Sequence, residues 1–244
     1  MNHCFKFSID KYLDKYKDNN NKLISEIIIK YHNYCNTNEY HNNLSIKNLC
    51  YYSSNFNKVY DEREGKHNIV MQNLFEGYNF ARNNVITSEN LQICHKIISK
   101  GILVNNCSGV FRDLPLFIKT NDIFNSYLLP SRYVVFCFND LINHITKLLN
   151  KNLSNTETFY YSSLIHYVFL TIHPFWDFNG KIARLLEKWF LSLKLGEIFW
   201  LFPTEKYYFI NKILYYRKLN IAQRNNEKII DFLSIIPNMG LDFF

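Results

Sequence analysis

Over most of this chain apolar residues recur at intervals of three and four, the spacing of a helix that buries one face. Residues 22–36 carry that pattern between the Asn-rich stretches 18–22 and 36–43, which read as loops, and they predict a helical N-terminal appendage over residues 1–60. Across 68–81 the stripe is Val70, Leu74, Tyr78 and Ala81, and Thr87 or Ser88 stands as the N-cap of a further helix through Ile98. Between Gly101 and Pro130 the period breaks. Gly109, Pro115 and Pro130 punctuate this stretch, and Leu116-Phe117-Ile118 reads as an extended segment ahead of the Asn121-Asp122 turn, predicting a small β-hairpin. Helical spacing returns over 132–149, 156–171, 180–195, 204–219 and 227–235. No internal repeat and no linker rich in Pro, Gly or Ser divides the chain, so the pattern predicts an all-α fold with one short hairpin around one main core.

Composition narrows what such a fold does. Hydrophobic residues make up 48% and charged residues 20% of the chain, which excludes disorder, and the scarcity of Gly and Pro favours helices. The 17% aromatic share travels with abundant Asn, Ile, Lys and Tyr and carries no functional signal of its own. A net charge of +7 suits a phosphate-bearing ligand or an acidic partner, but the Lys and Arg are scattered, so nucleic-acid binding is not expected. The cysteines form no C-x-x-C pair and no signal-peptide pattern precedes them. The apolar runs, such as Ile27-Ile28-Ile29, are far too short for a membrane span, and the expected setting is the cytoplasm, away from membranes.

The chemistry concentrates in His173-Pro174-Phe175-Trp176-Asp177-Phe178-Asn179-Gly180-Lys181-Ile182-Ala183-Arg184, between two strong helical patterns. Proline disfavours the helical region for the residue before it, so the helix containing His166 should end at or near His173. Asn179 then reads as an N-cap, with Gly180 letting the backbone turn into the next helix. Free N–H groups at a helix start bind anions, and Lys181 and Arg184 lie three residues apart on nearly one face there. Asp177 is placed to hold Mg²⁺ bridging phosphate oxygens, and His173 to take a proton from an attacking hydroxyl. Each residue type has an ordinary structural explanation: a cap, a solvated face, a surface histidine. The argument is their joint occurrence. A metal site from His166 and His173 fits poorly, since two helical turns separate them and no third ligand stands out; core packing explains His166 better. Leu185, Leu186, Trp189, Phe190 and Leu193 form a core stripe, while Phe199, Trp200 and Phe202 suit either core or surface.

The segment resembles the Fic signature H-P-F-x-D-G-N-G-R-x-x-R, matching at His173, Pro174, Phe175, Asp177, Asn179, Gly180 and Arg184. The likeness extends upstream through 166–172 and downstream to Leu185-Leu186, and Gly109-Val110-Phe111-Arg112 with Leu116-Phe117-Ile118 is similar to the family's β-hairpin flap. The resemblance implies a Fic-type helical bundle over 61–244, acting as a protein adenylyltransferase that moves AMP from Mg-ATP onto a target hydroxyl. It makes His173 the general base and Asp177 the Mg²⁺ ligand. Asn179 and the Gly180 N–H line the anion hole, Lys181 stands where the family has its first arginine, and Arg184 contacts the terminal phosphate. The flap holds the target by strand addition near Ile118.

Three positions depart from the family pattern. Phe178 replaces the first glycine, where a Cβ opposes a positive φ and a ring crowds the phosphates. Lys181 gives a point charge in place of a bidentate fork. Tyr52-Ser53-Ser54-Asn55-Phe56-Asn57-Lys58-Val59 resembles the inhibitory helix of many Fic proteins, but Asn57 falls where its glutamate belongs, with Glu64-Gly65 as a shifted alternative. Weak or absent inhibition through Arg184 is the expectation. The alternatives to AMP transfer are removal of AMP, transfer of another nucleotide or phosphate group, or a binding module without turnover.

Overall fold

The computed structural model describes residues 10–37, 45–56, 66–116 and 128–239, which are helical with no sheet. The helices are α1 (Leu13–Cys35), α2 (Ile46–Asn55), α3 (Lys66–Arg82), α4 (Ser88–Ser99), α5 (Val134–Leu149), α6 (Asn155–Ile172), α7 (Asn179–Leu195), α8 (Thr204–Ile210), α9 (Lys212–Arg224) and α10 (Ile229–Leu233).

The centre is α6, buried at every residue from Thr158 to Ile172, as expected of a helix that is apolar all round. Its start is fixed by Ser154, whose hydroxyl accepts from the Glu157 N–H while the Glu157 carboxylate accepts from the Ser154 N–H at 2.8 Å. Lys17 of α1 pairs with the same carboxylate at 2.8 Å, tying α1 alongside. α7 lies along α6 as its most extensive partner, and α1, α5 and α10 complete the packing around it. α2, α3 and α4 stack in sequence, with α2 also against α8.

Several expectations are corrected. The Asn-rich stretch 18–22 is helical within α1, because Asn20 is buried and its Nδ2 donates to the Tyr16 carbonyl at 2.9 Å and to Ser234 Oγ at 3.0 Å. Asparagine is a poor helix former because its amide competes for backbone groups; here a tertiary partner absorbs the amide instead. The helix read over 204–219 breaks at Asn211 into α8 and α9. Leu193 points outward at 47% exposure, leaving Leu185, Leu186, Trp189 and Phe190 as the α7 core stripe. Phe199, Trp200 and Phe202 are core. Among the described residues of the expected hairpin there is no strand pair, only an isolated antiparallel bridge between Phe111 and Phe175. Phe117, Ile118 and the Asn121-Asp122 turn lie outside the described residues, as do Asn57, Glu64 and Gly65.

Candidate active site

The loop between α6 and α7 holds the motif, and it is closed by its own side chains. Pro174 ends α6, and His173 caps it in the left-handed region with φ 50° and ψ 62°. The Asn179 side chain is buried inside the loop: its Oδ1 accepts from the Phe175 N–H at 2.9 Å and its Nδ2 donates to the Phe175 carbonyl at 2.8 Å. Asn179 is therefore the first residue of α7 rather than its N-cap. That position falls to Phe178, which adopts φ 61° despite its Cβ. The Phe178 ring is buried edge-on to His95 at 6.4 Å, with Lys181 Nζ 5.1 Å from its centroid. The side chain turns into the protein, and the positive φ that the sequence speaks against is accommodated.

The remaining motif residues sit around this loop. Asp177 is partly exposed, its Oδ1 accepting from the Phe178 N–H at 2.6 Å, while Oδ2 accepts nothing from the described residues. No group of three or more His, Cys, Asp or Glu among the described residues could hold a metal unaided. A single accessible carboxylate fits Mg²⁺, which keeps several waters and is shared with substrate phosphates. At the start of α7 the first-turn N–H groups of Asn179 and Gly180 have no partner within the helix. Arg184, one turn on, is 1% exposed, and a Cβ at Gly180 would stand 3.4 Å from its Nη1, so the glycine leaves room for the guanidinium. α2 reaches that guanidinium as well: Ser53 accepts from it at 3.4 Å and the Phe56 ring lies under it at 4.4 Å. The Arg184 charge acts on the Tyr215 hydroxyl, from which a buried chain of hydrogen bonds runs through His166 to Glu187 and Tyr208. His166 is thus a core residue.

Two residues to which the sequence reading gave no role of their own, Arg112 of the flap-like segment and His95, hold the loop from outside. Arg112, 2% exposed, donates from Nε to the His173 carbonyl at 2.6 Å and from Nη2 to the Ile172 carbonyl at 3.1 Å, satisfying carbonyls left without helical partners at the end of α6. Its own N–H donates to the Pro174 carbonyl at 2.9 Å. His95 on α4 is fully buried and stacked on Phe175 at 4.0 Å and 13°. The signal for His95 was its spacing with Leu91 and Ile98 on one helical face; for Arg112 it was a charge inside an apolar segment.

The electrostatics follow from this packing. Burial, and then the Arg112 charge, lower the His173 pKa from 6.5 to about 4, against a hydrogen bond to the Leu170 carbonyl that raises it. The imidazole is neutral at physiological pH, so one ring nitrogen carries a proton and the other a lone pair.

The Fic/DOC family profile matches residues 85–191. No curated protein matches the chain in sequence. Among solved structures, a Fic family protein from Desulfovibrio desulfuricans superposes with a TM-score of 0.68 at 18% identity, covering 89% of this chain and 71% of that one. A Fic domain containing signaling protein from Bacteroides thetaiotaomicron gives 0.61 at 14% identity, covering 89% and 93%. At such identities the likeness is one of fold.

Proposed function

Residues 85–191 belong to the Fic/DOC family, and from that premise we propose that the chain is a protein adenylyltransferase moving AMP from Mg-ATP onto a hydroxyl side chain of a target protein. The family generally transfers nucleotide or phosphate groups onto proteins. The observation that supports a proton-abstracting role is His173, which caps the C-terminal end of α6 one short loop before the start of α7, its imidazole held neutral by burial and by Arg112. The target oxygen attacks the α-phosphorus as His173 takes its proton, the bond from that phosphorus to the bridging oxygen breaks, and pyrophosphate leaves. The Asn179 and Gly180 N–H groups and the Arg184 guanidinium stabilise the phosphate charge. Asp177 would hold Mg²⁺, which when bound neutralises the phosphates. The target docks near Ile118, and the setting is cytoplasmic.

A second reading, another nucleotide or phosphoryl donor, draws on Lys181, whose Nζ lies over the Phe178 ring at 5.1 Å rather than forming an arginine's fork. Incubation with ATP labelled on the α-phosphate, in wild type and His173→Ala, tests the first reading. Self-labelling should fall by about a hundredfold or more in the variant. Equal labelling would remove His173 from the mechanism, and label from the γ-phosphate alone would favour the second reading.

A further inference from the structure

The only side chain that touches both the Asp177 peptide and the Gly109–Arg112 segment through separate ring atoms, among the described residues, is His95. The Gly109 N–H donates to its Nδ1 at 2.8 Å. A backbone N–H only donates, so Nδ1 carries the lone pair and the ring proton is on Nε2. That proton is donated to the Asp177 carbonyl at 3.0 Å. The next bond along is also fixed, because the N–H of the same peptide unit goes to Asp177 Oδ1. Both ends of the 177–178 peptide are therefore pinned, one by His95 and one by the carboxylate, which sets the direction in which that carboxylate faces.

Gly109 is suited to its end of this brace. It has φ 76°, and a Cβ there would lie 2.9 Å from the Gln92 carbonyl oxygen and 3.0 Å from Lys96 Cβ, so only glycine lets the segment approach α4 closely enough to reach the ring. Farther along, Arg112 ties the same segment to Pro174 and His173. The segment is thus fastened to the motif loop at both ends. Buried polar side chains with every hydrogen-bonding atom satisfied fix geometry more strictly than apolar packing does.

We propose that His95 is a positioning residue for the transfer reaction: its imidazole locks the Asp177 peptide to the Gly109–Arg112 segment, holding the carboxylate in the orientation that engages Mg²⁺ on the nucleotide. The inference rests on the adenylyltransferase reading. Groups that orient a metal ligand typically change metal affinity by about 10- to 100-fold when removed.

Calorimetric titration of the full chain with ATP, with Mg²⁺ and with EDTA, tests it on His95→Phe and His95→Gln below their melting temperatures. Phenylalanine keeps the stack on Phe175 and loses both hydrogen bonds; glutamine offers one acceptor and one donor. His95→Phe should weaken ATP binding in Mg²⁺ by about tenfold while leaving binding in EDTA within about twofold of wild type, and His95→Gln should recover most of the loss. Equal Mg²⁺-dependent binding by wild type and His95→Phe would overturn the proposal alone. So would loss in His95→Gln equal to that in His95→Phe, and if the latter does not fold, a loss of tenfold in His95→Gln on its own overturns it. Wild type that binds no ATP with Mg²⁺ would overturn the adenylyltransferase reading and this inference with it.

Discussion

At the scale of residues, the motif loop keeps its shape through backbone conformations that its sequence makes costly. His173 and Phe178 both occupy the left-handed region, where a Cβ costs roughly 1–2 kcal/mol. The loop tolerates this because Asn179, Arg112 and His95 hold the surrounding peptides. The cost at Phe178 is measurable by removing the ring in two ways. Phe178→Ala and Phe178→Gly both lose the buried contacts to His95 and Lys181, and both should be destabilised in urea unfolding. Glycine should nevertheless be the more stable of the two by about 1 kcal/mol, the reverse of its usual effect beside a helix. A more stable alanine variant would mean that the positive φ is absent in solution.

At the scale of elements, α7 does two jobs on one helix. Its start leaves the Asn179 and Gly180 N–H groups without helical partners and is followed one turn on by Arg184, and its middle buries Glu187 and Lys188 in the core. Lys188 donates to Glu205 and to the Phe202 carbonyl, and Tyr78 of α3 donates to the same Glu205 at 2.6 Å, so one polar cluster joins α3, α7 and α8. Burial lowers the Lys188 pKa, with Glu205 acting against it. Lys188→Met leaves the buried Glu205 charge without its countercharge and should cost about 3–5 kcal/mol in chemical unfolding. Adding Glu205→Leu should restore more than half of that, since an apolar pair needs no compensation; failure to restore it would show that Tyr78 depends on the carboxylate more than the lysine does. The helical stripe of α7 was legible in its spacing. Its buried charges were not, because a 3.6-residue period marks a buried face without saying what polar partner waits there.

At the scale of the whole molecule, histidines held in the neutral form make the fold sensitive to acid. Burial lowers the His95 pKa to about 4 against a hydrogen bond to Asp177 that raises it, and His173 also lies at about 4. Between pH 6.5 and 4 the unfolded chain binds more protons than the folded one, so these groups' contribution is complete above about 6.5 and is lost as pH falls through about 4. For His95 alone the effect is about 3 kcal/mol. The urea midpoint of the wild type should therefore drop across that window, and His95→Gln should show a shallower drop. An equal slope in both would mean that His95 is not buried in its neutral form.

The sequence by itself determined the helical class, the helices with strong apolar stripes, the end of α6 at Pro174 and the cluster of chemistry from His173 to Arg184. These are local matters: a proline's sterics, a period of 3.6 and a run of motif residues are all written within a few positions. Tertiary structure alone decided the rest. Asn20 is helical because Ser234 meets it across the fold. Phe178 takes a positive φ, with its ring against His95 and the peptide before it bonded to the same distant residue, while Asn179 closes the loop on Phe175 instead of capping the helix. His95 and Arg112 join the site because α4 and the Gly109–Arg112 segment fold against a loop more than sixty residues away, and hydrogen bonds across such separations leave no periodic trace in the chain.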